Sequence, residues 1–181
     1  MKTVLLPCNA LVVLLLASAS LVSAQTPAAN PLIAGQKMIY GYASGTVVRA
    51  AEKMPEENYG FKATPDVRSY GQIVGHMADA QNMMCSTVLG EKNPAPDIEK
   101  TKTSKADLVQ ALKDSVAYCQ KAYGSMTDAT AVQTVQMFGN EQAKFNVLYF
   151  NIAHTMEHYG NLITYLRLKG LVPPSSEQQQ K

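Results

Sequence analysis

The chain has 181 residues, with 16 Lys and Arg against 14 Asp and Glu, three His, three Cys, nine Met and no Trp. That length suits one domain or two very small ones, and a net charge of +2 lacks the clustered basic excess that nucleic-acid binding needs. The chain is not acidic enough to stay solvated and disordered, and without Trp and with only four Phe it makes a poor base- or sugar-stacking platform.

Lys2 precedes an apolar run centred on residues 11–17, which ends in Val22-Ser23-Ala24. Small residues ahead of a cut after Ala24 complete the pattern of a secretory signal peptide. The run is shorter than the ~20 apolar residues of a membrane span. Residues 1–24 are expected to be removed, Cys8 with them, leaving a protein of the periplasm or the cell exterior. Disulfides are permitted there, and Cys85 and Cys119 remain.

Residues 25–30 read as a polar, mobile leader. A first helix is expected from Pro31 to about residue 53, with Pro31 in its first turn. Gly35, Gly41 and Gly45 suggest that it packs closely on a neighbour. Residues 54–66 hold two prolines and a glycine and read as a loop, with Asp66 capping a second helix over 67–89 that stops at Gly90. Residues 91–103, with Pro94 and Pro96, form a long connection. Ser104 opens a third helix that runs to about Gly124. Residues 125–140 could hold a short extended piece with no evident partner strand. The last helix spans about 141–169, closed by Gly170 and followed by Pro173-Pro174. Residues 175–181 read as a frayed polar tail. The fold class is therefore all-α, a four-helix bundle over 31–174.

The three histidines carry the functional signal. His154 and His158 are four apart on the last helix, so they lie about 40° apart, one turn above the other. The main apolar stripe of that helix holds Phe145, Leu148, Ile152, Met156, Tyr159, Ile163 and Leu166. The histidines point roughly 140° from its centre, on a strip with Val147, Asn151, Asn161, Leu162 and Tyr165. A packing helix has no need for two His and two Asn in one strip. His76 lies in the middle of the second helix and could face the pair. Asp79, one turn on, could accept from an imidazole and fix its tautomer. Three imidazoles leave a coordination position open for water or a thiolate. An all-nitrogen set of this kind suits a divalent ion, zinc or nickel foremost. Glu157 points about 100° from His158, so the helix does not carry the zinc-protease arrangement.

The cysteines do not belong to this set. Cys85 is nine residues after His76, about 180° round the helix. Cys119 falls on the apolar stripe of the third helix. A buried core thiol and a Cys85–Cys119 disulfide are both open. The disulfide would require helices two and three to run parallel, giving an up-down-down-up bundle.

The stretch HTMEHYGNLITYLRLKGLVPPSS, led by His154, resembles the closing motif of the DinB-like superfamily of DinB/YfiT-like metalloenzymes. SYGQIVGHMADAQNMM resembles its second-helix motif. The resemblance covers about residues 31–174. It implies an up-down-down-up bundle, often dimeric, with a divalent metal held by His76, His154 and His158. Characterised relatives include transferases and isomerases that use low-molecular-weight thiols. Two departures stand out. This chain carries an export signal, and it has Tyr159-Gly160-Asn161 where many members carry Arg-Gly-Gln.

The expectation is an exported metal-binding protein that acts as a hydrolase or thiol-type transferase on a small molecule. Asp79, Asn151, Asn161 and Tyr165 would lie beside the ligands or face the substrate. The alternative is a non-catalytic bundle that binds a metal or a small ligand. Neither nucleic acid nor a membrane span enters the reading, and a homodimer is the expected assembly.

Overall fold

The computed structural model describes residues 29–177. The expected signal peptide, most of the leader and the last four residues lie outside that range. The elements run α1 (Pro31–Lys53), α2 (Tyr70–Leu89), α3 (Ile98–Thr101), α4 (Lys105–Ser125), α5 (Asp128–Ala131), β1 (Thr134–Met137), β2 (Asn140–Ala143), α6 (Lys144–Leu168) and α7 (Pro174–Glu177). The four long helices α1, α2, α4 and α6 form the bundle.

Cross-contacts fix their directions. Tyr40 Oη donates to Gln81 Oε1 at 2.6 Å, and Tyr70 Oη donates to the Ala50 carbonyl at 2.7 Å, so α1 and α2 are antiparallel. Leu108 packs on Gly71 and Gly75 near the start of α2, while Cys119 is bonded to Cys85 near its end, so α2 and α4 run parallel. Tyr165 Oη donates to the Arg68 carbonyl while Asn151 lies beside Cys85, so α6 is antiparallel to α2. The topology is up-down-down-up. The disulfide is present, with its Cα atoms 5.3 Å apart and both residues fully buried.

Each helix start has a local cause. Ser69 and Gln72 form a reciprocal capping box. The second helix therefore begins at Tyr70, and Asp66 is left in the preceding turn. Ser104 Oγ accepts from Asp107 N at 3.1 Å to open α4. The start of α1 is capped from far along the chain. The Asp128 carboxylate accepts from Leu32 N and Ile33 N at 3.2 and 2.9 Å, and Asp128 N donates to Asn30 Oδ1 at 2.9 Å.

Three expectations are corrected. A Cβ on Gly35 or Gly41 would meet nothing within 4 Å, and one on Gly45 only the Arg49 side chain, so these glycines do not mark close helix packing. The close approaches are instead at Gly71 and Gly75 of α2. The extended piece does have a partner: residues 134–137 pair antiparallel with 140–143, which delays the last helix to Lys144. The C-terminal segment is docked as far as Glu177, through Tyr159 Oη donating to Ser175 Oγ at 2.8 Å and a Lys53–Glu177 ion pair.

The interior has two apolar halves. One holds Tyr59, Tyr70, Met77, Leu108, Leu112 and Leu166. The other holds Ile33, Tyr40, Met84, Cys119, Tyr123 and Leu148, with Tyr40 and Tyr123 stacked 4.1 Å apart. On α2 the change from one half to the other falls between Ala78 and Ala80, and on α6 between Tyr159 and Ile152. His76, His154 and His158 sit at this junction.

Candidate metal centre

The antiparallel packing of α2 and α6 brings His76 against His154 and His158. His154 Nε2 lies 3.1 Å from His76 Nε2 and 3.1 Å from His158 Nε2. One donor atom from each residue falls within 4.8 Å of the others, so the three form a set able to hold a metal ion. His158 is buried, and the other two are partly open to solvent.

The outer ring nitrogens are also held. His76 Nδ1 lies 3.3 Å from Glu99 Oε2. A carboxylate only accepts, so the proton sits on Nδ1 and the Nε2 lone pair faces the other two rings. Asn161 Nδ2 lies 3.2 Å from His158 Nδ1. With its amide turned, the same side chain accepts from Nδ1–H and leaves a second lone pair facing inward. Neutral nitrogen donors converging this way, with carboxylate and amide support behind them, fit a divalent cation.

Glu99 is held by its surroundings. Arg68 Nε donates to its Oε1 at 2.9 Å. Asp79 accepts from Ile98 N and Glu99 N, both at 2.8 Å, which caps α3 and sets the backbone that carries Glu99. At Gly75 a Cβ would stand 2.8 Å from Glu99 Cα, so α3 lies directly on α2 only because that residue is glycine.

Asp79 was expected to touch an imidazole; it acts one step removed, through α3, and Glu99 takes the ring. Asn161 lies at His158 as described. Tyr165 anchors the Arg68 carbonyl at 2.7 Å and shares a cavity wall with His158 and Asn161. Asn151 is turned elsewhere. It is fully buried, its Nδ2 is 3.3 Å from Tyr123 Oη, and it lies 3.8 and 3.9 Å from the sulfurs of Cys119 and Cys85. Its position on the histidine side of α6 carries it to the disulfide because it is a full turn nearer the helix start.

Two cavities open onto the triad. One, of about 560 Å³, is walled by His76, His154, Met83, Met84, Phe138 and Phe150 among others. The second, of about 660 Å³, is more polar and includes His158, Asn161, Arg68, Glu99 and Tyr165.

Burial, followed by the neighbouring His158 and His76, pushes His154 down from the ordinary 6.5 to about 4. Burial, followed by His76, lowers His158 as well. Both are neutral near pH 7, the state a metal needs. The sign for stability follows. Between pH 6.5 and 4 the unfolded chain binds protons that the folded chain refuses, so the metal-free protein loses stability as pH falls through that window. Urea unfolding at pH 7 and pH 5 should show a lower midpoint at pH 5, and the drop should shrink in His154→Ala.

Gly75→Ala should lower metal affinity by about 10–100-fold, the usual effect of disturbing a carboxylate behind a ligating histidine. Glu99→Gln should fall in the same range, because a turned amide still accepts from Nδ1 but without charge. Titration with a competing chelator reads both. Equal affinity in Gly75→Ala and the parent would rule out the α3 contact as a support of the site.

Residues 43–162 match the DinB superfamily. The chain belongs to that superfamily. Among solved structures, a DinB-like protein from Bacillus cereus has a TM-score of 0.71 at 17% identity, covering 78% of this chain and 95% of that one. A DinB-like protein from Bacillus subtilis has a TM-score of 0.63 at 20% identity, covering 75% and 92%. A mutant of the mycothiol-dependent maleylpyruvate isomerase has a TM-score of 0.60 at 11% identity, covering 74% and 65%. These likenesses establish the DinB-like fold. No curated protein matches the chain.

Sequence reasoning missed Glu99, which lies in the 91–103 stretch read as a connection, and Arg68, which falls in the first turn of the helix expected over 67–89 but precedes α2 in the structure. The available signal was the Gly71–Gly75 pair. Glycines four apart on a helix mark a face where another backbone can come close.

Proposed function

We propose that this DinB superfamily member is an exported, metal-dependent hydrolase or thiol-type transferase acting on a small molecule. The observation that carries the reading is the convergence of three imidazole nitrogens at the mouths of two cavities. His76, His154 and His158 would hold the ion. A divalent ion there supplies a Lewis acid with room for a substrate oxygen or sulfur. Glu99 fixes the His76 tautomer, and Asn161 orients His158. Zinc and nickel suit the all-nitrogen donor set. The mycothiol dependence of the isomerase neighbour is the reason to include thiols among candidate cosubstrates.

One observation favours the non-catalytic alternative. Asp79 and Glu99, the carboxylates around His76, are both engaged, one with backbone amides and one with His76 and Arg68. With all three histidines assigned to the ion, the general base of a hydrolase would have to come from the substrate itself.

The test is elemental analysis followed by a panel of ester, amide and thiol-transfer substrates. About one zinc or nickel per chain, with turnover that disappears in His154→Ala, supports an enzyme. Bound metal without turnover across the panel supports the binding protein.

Export and assembly belong to the same proposal. The Cys85–Cys119 disulfide supports an oxidising compartment. Among the described residues no helix is long and apolar enough to cross a membrane. Met38, Ile39 and Tyr42 are exposed on one face of α1 and support a homodimer. Cell fractionation and light scattering check the two points.

A further inference from the structure

The hairpin tip places a phenylalanine where its backbone is disfavoured. Phe138 and Gly139 form the two-residue loop between β1 and β2, and both have positive φ, 52° and 77°. Loops of this kind favour Asn or Asp at the first position, and a bulky residue there carries a conformational cost. Yet Phe138 does not repay that cost by filling the core, since it is 66% exposed. Its ring meets Phe150 edge-on at 6.0 Å, and Phe150 lies 6.1 Å from the His154 ring.

We propose that the 560 Å³ cleft beside the triad binds the bulky apolar group, aromatic or branched aliphatic, of a small uncharged substrate. Phe138 and Phe150 form one jaw, and Met83 and Met84 form the other. This rests on the triad being the chemical centre, because the substrate's polar end then reaches His76 and His154 in the same cleft.

Four features support this class of ligand. The volume lies within the ~300–1,000 Å³ usual for small-molecule sites. The walls are mainly apolar, and polar groups join them at His76 and His154 and along the side of Asp79, Asn93, Asp97 and Lys100. Methionines adapt to varied apolar shapes. The lining sets the carboxylates of Asp79 and Asp97 beside a single lysine, Lys100, which Asp97 meets at 2.7 Å, a charge balance that disfavours a phosphate or carboxylate ligand.

The test separates the cleft from the metal. Purified metal-free protein is titrated with phenylacetamide and with acetamide while the methyl resonances of Met83 and Met84 are followed. Saturable shifts with phenylacetamide alone are expected. Phe138→Asn should weaken that binding at least fivefold without lowering the melting temperature, since Asn suits the turn. Phe150→Leu should weaken it independently, on a helix that needs no turn residue. Zinc-loaded protein should then bind phenylacetohydroxamate at least tenfold more tightly than acetohydroxamate. Absent methionine shifts, or shifts that survive both substitutions unchanged, overturn the cleft. Failure of the protein to take up zinc overturns the metal reading alone, and the metal-free titration still decides the cleft.

Discussion

Replacing His154 by alanine should abolish stabilisation by zinc while leaving the metal-free fold nearly intact. Its Nε2 is the shared neighbour of the other two, 3.1 Å from each, so its loss leaves a two-nitrogen remnant. A ligand present at 100 times its dissociation constant stabilises the folded state by about 2.7 kcal/mol. The parent protein should gain about that much in a thermal melt with zinc at that excess, and His154→Ala should gain almost none. Without metal the two proteins should differ by no more than about 1 kcal/mol, because the residue is only partly buried and lies outside both apolar halves. Its lowered pKa reflects an unfavourable site for a charged ring, so removal also relieves a cost at mildly acidic pH. A zinc-dependent rise of equal size in both proteins would show that the ion binds elsewhere.

Replacing both Cys85 and Cys119 by alanine should cost about 2–4 kcal/mol, the usual range for a native disulfide. The bond closes a segment of 34 residues and clamps two parallel helices. It is also packed. Both residues are fully buried, Asn151 lies against the sulfurs, and its Nδ2 is 3.3 Å from Tyr123 Oη, which donates to the Leu148 carbonyl at 2.7 Å. Urea unfolding of the double variant measures the loss. Metal affinity should hardly change, because the triad joins α2 to α6 and the disulfide joins α2 to α4. A loss of less than about 0.5 kcal/mol would mean that packing alone holds the parallel pair together.

The parts of the molecule legible in the sequence were those governed by period and punctuation. The 3.6-residue repeat on the last helix exposed a polar strip between apolar positions, and His154 and His158 stood on it. Ser104, Gly90 and Gly170 marked helix ends that the structure keeps. The failures came from interactions set by distant contacts. Asp79 sits one turn from His76, and helical spacing alone pairs it with the ring; the arrival of α3 gives it two backbone amides instead. Glu99 became the imidazole's partner because Gly75 lets that short helix approach, a contact that no local pattern in residues 91–103 announces. Asn151 shares the histidines' side of α6 but sits at the depth of the disulfide. Angular position on a wheel does not report height along the helix.

The long-range cap on α1 has a consequence for how the chain is made. Asp128 follows Leu32 by 96 residues, yet it supplies the acceptors for the first free amides of that helix. A ribosome delivers residues in order, so the opening turn of α1 waits for most of the domain before its donors are met. Until then the turn is prone to fray, and the contact of Asp128 N with Asn30 completes the helix start late in synthesis.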